Sequence, residues 1–244
     1  MPLHFVVDDP AALAGDEVVL LGREAHHAAA VRRVRAGEAV TVGDGLGVWL
    51  TGRVADVAPQ RVAVTVESRR TVPAPTPRLV LVQALAKGDR DELAVQAGTE
   101  IGADEIVPWQ AARSVSRWEG AKREKGRARW ASIVREAAKQ AHRAWIPPVV
   151  APVGTGELAA RASKSRMLVL VPDAGEALTA VELDPTADAD VVVVVGPEGG
   201  MPAEEVERLQ AAGARPVRLG DTVLRTSTAG PAALAVVNAA LRRW

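Results

Sequence analysis

Val191-Val192-Val193-Val194-Val195-Gly196-Pro197-Glu198-Gly199-Gly200 is the stretch on which the reading of the fold turns. Five consecutive β-branched residues leave no polar face. That is the pattern of a strand covered on both sides, as in a parallel sheet flanked by helices. Gly-Pro and Gly-Gly then break it. A helix is expected next: Pro202 suits its first position, and Glu204 and Glu205 complement the positive end of its dipole. Glycines let backbone approach a ligand closely, and strand C-terminal ends are where open α/β sheets bind ligands. The turn lacks the G-x-G-x-x-G spacing of a dinucleotide site, and no Walker lysine follows it. Taken alone it is weak evidence, because most such turns are merely tight turns.

The same rhythm extends on both sides. Residues 79–85 form a second, largely apolar run, followed by a helical pattern over residues 89–101 that stops at Gly102. Short strands are expected at residues 106–107, 167–171 and 217–219, and helices near residues 125–143 and 202–212 and from about residue 228. Strands alternating with helices imply a mostly parallel α/β sheet. The first 70 residues read differently. β-branched residues at 40–42, 48–51 and 62–66 predict a β-rich unit, with a turn at Gly43-Asp44-Gly45 and a short helix over residues 24–34 before Gly37. Between the two regions lies Thr71-Val72-Pro73-Ala74-Pro75-Thr76-Pro77, whose alternate prolines favour a stiff, extended connector. The expected domains are residues 1–72 and 77–244.

Composition removes several functions. The 244 residues contain no cysteine, so disulfides, thiolate metal sites and Cys nucleophiles are excluded together. No cluster of His, Asp and Glu has metal-ligand spacing, so no metal is expected. No apolar run approaches the roughly 20 residues of a membrane span, and no secretory leader is expected, which suits a cytoplasmic location. Net charge is zero, but residues 113–143 hold Arg113, Arg117, Lys122, Arg123, Lys125, Arg127, Arg129, Arg135, Lys139 and Arg143 against Glu119, Glu124 and Glu136. Such a block is either a phosphate-binding surface or a solvated charged helix.

A second informative stretch is Leu219-Gly220-Asp221-Thr222-Val223-Leu224-Arg225-Thr226-Ser227-Thr228-Ala229. A strand end runs through a polar loop into an Ala-rich helix. Alone it permits a helix capped by Ser227 or Thr228 with Arg225 in solvent.

Val-Gly-Pro-Glu-Gly-Gly at 195–200, followed by Leu-Gly-x-x-x-Leu-Arg-Thr-x-Thr-Ala at 219–229, resembles the C-terminal signature of the SPOUT methyltransferases in its RsmE form. Lys87-Gly88-Asp89-Arg90 with Glu92 resembles that family's entry to the catalytic domain. Thr99-Glu100-Ile101-Gly102, Arg113-Ser114-Val115, Trp130 and Glu136-Ala137-Ala138-Lys139-Gln140 with Arg143 and Pro147 follow in the family's order. His27 with Val31-Arg32-Arg33-Val34-Arg35 and Gly37 resembles its N-terminal RNA-binding part. The chain departs from the family at His4, where Arg is common, at Ser227, where Glu is usual, and at Met201-Pro202, which replaces an aromatic-Ser pair.

The resemblance implies a C-terminal SPOUT domain, a parallel sheet with a deep trefoil knot, and a small N-terminal PUA-like β-barrel. It implies S-adenosyl-L-methionine held by Gly196, Pro197, Glu198, Gly199, Gly200, Leu219, Gly220, Leu224, Arg225 and Thr226, with Leu170, Val171 and Pro172 at a neighbouring strand end. It implies a homodimer that methylates N3 of a uridine in bacterial 16S ribosomal RNA within the small subunit. RNA contacts are expected from His27, Arg32, Arg33, Arg35, Arg113, Arg117, Lys122, Arg123 and Arg143. Arg225 is the expected catalytic residue, its guanidinium beside the base's O2 or O4 as negative charge develops. No general base is identified, although His27 and His142 have suitable intrinsic pKa values. Methylation at uridine C5 through a Cys adduct is closed to a chain without cysteine. Two other readings stay open at this point: an RNA-binding factor of the same fold without turnover, and a SPOUT enzyme acting on another RNA position.

Overall fold

The structure, a computed structural model, describes residues 1–244. It divides them into two compact units: Met1–Ala74 with Ala138–Ile146, and Pro75–Ala137 with Pro147–Trp244. The return of residues 138–146 to the first unit is absent from the sequence-based boundary, because a contiguous reading cannot assign a late segment to an early domain. That segment is tied in specifically. Lys139 Nζ lies 2.7 Å from Glu24 Oε1, Trp145 Nε1 donates to Val72 O at 2.9 Å, and Ile146 N donates to Gly45 O at 2.9 Å.

The first unit contains β1 (Leu3–Val6), β2 (Glu17–Leu21), α1 (Gly22–His26), β3 (Ala39–Gly43), β4 (Val48–Ala58) and β5 (Arg61–Thr71). They form one sheet in the order β1-β3-β4-β5-β2, parallel between β1 and β3 and antiparallel elsewhere. Register shifts in β4 at Thr51/Gly52 and Val54/Asp56 add the local bending that β-bulges produce. The strands β4 and β5 outrun the apolar residues that announced them, because their far halves carry exposed residues such as Arg69 and Arg70. The helix expected over residues 24–34 starts earlier and is shorter. After α1 it becomes a π-turn at His27–Val31 and ends before Arg33, whose φ of 55° is non-helical. The turn at Asp44 is fixed by its carboxylate, which accepts from Leu46 N at 2.7 Å and Val48 N at 3.0 Å. His4 is buried, stacked on Trp49 with ring centroids 4.2 Å apart.

The second unit contains β6 (Leu79–Ala84), α2 (Arg90–Ile101), β7 (Glu105–Trp109), most of α3 (Ala121–Gln140), α4 (Thr155–Ala162), β8 (Arg166–Leu170), β9 (Val191–Val195), α5 (Ala203–Ala211), β10 (Arg215–Val217) and α6 (Thr226–Ala240). Its sheet runs β10-β8-β9-β6-β7, parallel throughout. The valine run of β9 is buried at every position, and its period of two explains why. Val192 and Val194 share a core with Leu158 and Ala162 of α4 and Leu209 of α5. On the opposite face, Val195 lies against Gly230 of α6, and α6 packs on α2. Gly102 ends α2 with φ 114°, as its position after the helical pattern predicts. The short α4 has too few periodic residues to be read from sequence. The strand expected at residues 217–219 ends at Val217, which leaves Leu219 in the following loop.

Candidate active site

Three loops meet at the C-terminal ends of β8, β9 and β10 and enclose a cavity of about 510 Å³. That volume suits a small-molecule ligand. The loop after β8 contributes Leu170, Val171, Pro172 and Asp173. The glycine turn contributes Gly196, Pro197, Glu198, Gly200 and Met201. The loop after β10 contributes Leu219, Gly220, Leu224, Arg225 and Thr226, and Arg90 of α2 completes the wall. The wall is mainly apolar, with backbone carbonyls and amides at the turns.

Gly200 holds φ at +68°, and its N–H donates to Pro197 O at 2.9 Å to close the turn. A side chain there is strained. Gly199 stands differently from Gly200. It is not on the cavity wall; a Cβ at Gly199 points toward Arg113, 3.4 Å from that residue's Cβ. Arg113 Nη1 also donates to Gly199 O at 3.2 Å, so this arginine braces the back of the turn. Glu198 lines the cavity, but its carboxylate accepts from Lys87 N at 3.2 Å and Arg90 Nη1 at 3.1 Å. It ties the turn to the start of α2. Asp173, exposed and without an ion pair, is the wall's uncommitted carboxylate.

The helix α6 starts at Thr226, two residues before the sequence suggests, and Arg225 occupies the N-cap position without a side-chain cap. Neither Ser227 nor Thr228 caps it. Thr226 Oγ1 donates to Gly196 O at 3.0 Å and accepts from Gln83 Nε2 at 2.9 Å. Gln83 is fully buried in β6. The sequence pattern does not single it out, although one amide in a buried apolar strand has to be bonded to something. Arg90, Asp173 and Met201 are likewise cavity residues that the sequence does not reveal, since side chains from separate loops share no pattern. Arg225 itself is exposed at the cavity, with no carboxylate partner. Another acid, expected only for its helix position, has a second task. Glu205 is buried and accepts from Ala112 N at 3.0 Å and Thr155 Oγ1 at 2.5 Å.

The expected RNA contacts fall in both units. Arg32, Arg33 and Arg35 are exposed on the first unit. His27 there is half-buried, edge-on to Phe5 at 6.3 Å, and Arg143 is half-buried. On the second unit Arg117 and Lys122 line a separate cleft, while Arg123 Nη2 donates to Pro152 O at 3.0 Å. His142 lies in the first unit beside His4, with its pKa lowered by burial and then by the amino terminus.

A parallel α/β sheet with a ligand cavity at its strand ends, joined to a small β unit, defines a class. Residues 73–238 match the family described as RNA methyltransferase domain, and residues 15–67 match the RNA methyltransferase PUA domain. The chain is 43% identical over 235 residues to ribosomal RNA small subunit methyltransferase E of Mycobacterium bovis, covering 94% of this chain and 89% of that protein. The corresponding Bacillus subtilis protein is 31% identical over 229 residues, covering 90% and 88%. A ribosomal RNA small subunit methyltransferase E from Neisseria gonorrhoeae, solved bound to S-adenosyl methionine, superposes with a TM-score of 0.86 at 28% identity, covering 98% of each chain. The chain belongs to the ribosomal RNA small subunit methyltransferase E family.

Proposed function

We propose that this RNA methyltransferase transfers the methyl group of S-adenosylmethionine to N3 of a uridine in 16S ribosomal RNA. The observation that carries the reading is the cavity built from three strand-end loops with the uncommitted Arg225 beside it, in a chain of this family. The residues fit the cofactor. Apolar Leu170, Val171, Leu219 and Leu224 suit the adenine, the turn at Gly200 brings backbone close, and Asp173 can meet a hydroxyl or a cation. When bound, S-adenosylmethionine supplies a methyl group already activated on a sulfonium.

The chain's own residues then handle the base. Uridine N3 is a poor nucleophile until its proton leaves. Arg225 is a fixed cation that favours the uridine anion through O2 or O4. Thr226, one residue on, is locked by Gln83 and Gly196, which sets where the backbone of Arg225 stands. The same proposal includes the trefoil knot, a homodimer, and action in the cytoplasm on the small subunit. No helix is long and apolar enough to cross a membrane. The apolar side of α6 packs largely on α2 and β9 of its own unit, so the dimer rests on the family resemblance and not on that helix.

The test is nucleoside mass mapping of 16S ribosomal RNA from a strain lacking this gene, before and after incubation with the protein and cofactor. N3-methyluridine at one position is expected. A methyl group on another atom, or on a ribose, overturns the assignment. Sedimentation at sub-micromolar concentration tests the dimer, and a monomer that still methylates refutes it.

A further inference from the structure

A second cleft, of about 480 Å³, shares no wall residue with the cofactor cavity. It is built around Trp118, a half-buried indole that the catalytic reading leaves unused. The ring lies directly on the backbone of α3: a Cβ at Gly126 would come within 2.4 Å of it. Glycine is disfavoured inside a helix, and here its missing side chain makes the seat for an aromatic ring. Trp130, fully buried, meets Trp118 edge-on at 5.1 Å, and Trp118 N donates to Gln110 Oε1 at 3.1 Å. The indole is therefore held in place before any ligand arrives. Around it stand Lys122, Lys125 and Arg129, whose spacing puts them on the face of α3 that carries Gly126, and Arg117 from the preceding loop. The carboxylates facing them are Asp91 and Glu92. Asp91 is buried and accepts from the backbone of Ala86 and Glu92, while Glu92 pairs with Arg129 at 2.8 Å. Arg117, Lys122 and Lys125 are exposed and make no ion pair.

We propose that this cleft is a docking subsite for one unpaired nucleotide of the RNA, its base stacked on Trp118 and its phosphate held by Lys122 and Lys125. A pre-seated aromatic ring among free cations is the chemistry of single-stranded nucleic acid binding. A base in a duplex is already stacked and has no face to offer. The inference rests on the reading of RNA as substrate and goes beyond it by naming where and how an unpaired nucleotide is held.

The experiment measures binding of a short single-stranded RNA and a blunt RNA duplex of equal length to the full-length protein and its variants. Trp118→Ala is expected to weaken the single strand by roughly tenfold or more and the duplex little. Trp118→Phe should retain most of the affinity. Replacing Lys122 and Lys125 with Ala should flatten the dependence of log affinity on log salt by roughly 0.7 per lost phosphate contact. Binding of S-adenosylhomocysteine reports whether each variant is folded. If Trp118→Ala fails that control, Lys125→Glu, an exposed change, decides the matter by its own loss of single-strand affinity. Equal losses on both RNAs, or none, overturn the subsite, as does weakened docking to the whole ribosomal subunit with naked RNA unaffected. Wild-type protein that methylates RNA while these variants bind it normally sinks the subsite alone. Absence of any methylation by wild type points instead to the functional reading.

Discussion

Gln83 and Thr226 stand 143 residues apart in sequence, yet the Gln83 amide donates to the Thr226 hydroxyl at 2.9 Å in the interior of the second unit. The hydroxyl passes the constraint on to Gly196 O at 3.0 Å, so one buried relay locks the end of β6, the glycine turn and the start of α6 together. Removing a buried hydrogen-bond partner costs about 1–3 kcal/mol. Gln83→Leu and Thr226→Val should each weaken cofactor binding by roughly tenfold, whereas Thr226→Ser, which keeps the hydroxyl, should bind nearly as wild type. The double variant should be clearly less damaged than the sum of the singles, because both break one relay. Calorimetry with S-adenosylhomocysteine measures all four, and additive losses would show that the two residues act separately.

Arg225 faces the cavity without a carboxylate to neutralise it. Arg225→Ala should lower single-turnover methylation by roughly 10²–10³ at saturating RNA, with RNA affinity little changed. A normal rate once RNA saturates would reduce Arg225 to a docking residue.

The two glycines of the turn's end should separate. Gly200 needs a positive φ and lies on the cavity wall, so Gly200→Val should abolish binding of S-adenosylhomocysteine. Gly199→Ala adds a methyl group that meets Arg113 at ordinary contact distance, so cofactor binding should survive. Both titrations belong in EDTA. Loss of wild-type binding there would reveal a metal that the donor set of the cavity does not predict.

His4 should make the protein acid-sensitive. Its Nδ1 lies 2.9 Å from Thr41 Oγ1 and its Nε2 is buried without a partner. Burial first, then His142 and Lys139, push its pKa from 6.5 down to about 3. Below pH 6.5 the unfolded chain takes up a proton that the native state refuses until about pH 3. Stability therefore falls as pH drops through that window, and the group contributes no pH dependence above it. His142, lowered in the same direction, adds to the slope. Urea unfolding at about pH 8 and about pH 5 should show a larger loss in wild type than in His4→Phe, which keeps a ring against Trp49 but cannot titrate. Equal losses in both would remove His4 as the cause.

The parallel sheet, its strands in sequence and the turn at residues 196–200 are legible because apolar runs and glycine breaks are local patterns. The split between Gly199 and Gly200 is not, since neighbouring glycines read alike until φ and facing side chains are known. Gln83 carries a faint signal as the lone amide in an apolar strand, but its partner lies far along the chain. Arg113 reads as one cation of a basic block, and only the folded loops show it bracing the carbonyl of Gly199. The placing of residues 138–146 beside Val72 and Gly45 rests on contacts that no periodicity encodes.

The cavity at the strand ends takes its wall from loops beginning near residues 170, 196 and 219, with one arginine from residue 90. None of these segments holds more than a fragment of the wall, so nothing resembling the cavity exists until β6, β8, β9 and β10 all stand in register. Ligand affinity is thus an all-or-none witness to completed assembly of the sheet and its loops. During refolding from denaturant, helical content should recover ahead of cofactor capture, and the interval between the two measures how long the last loops take to find their places.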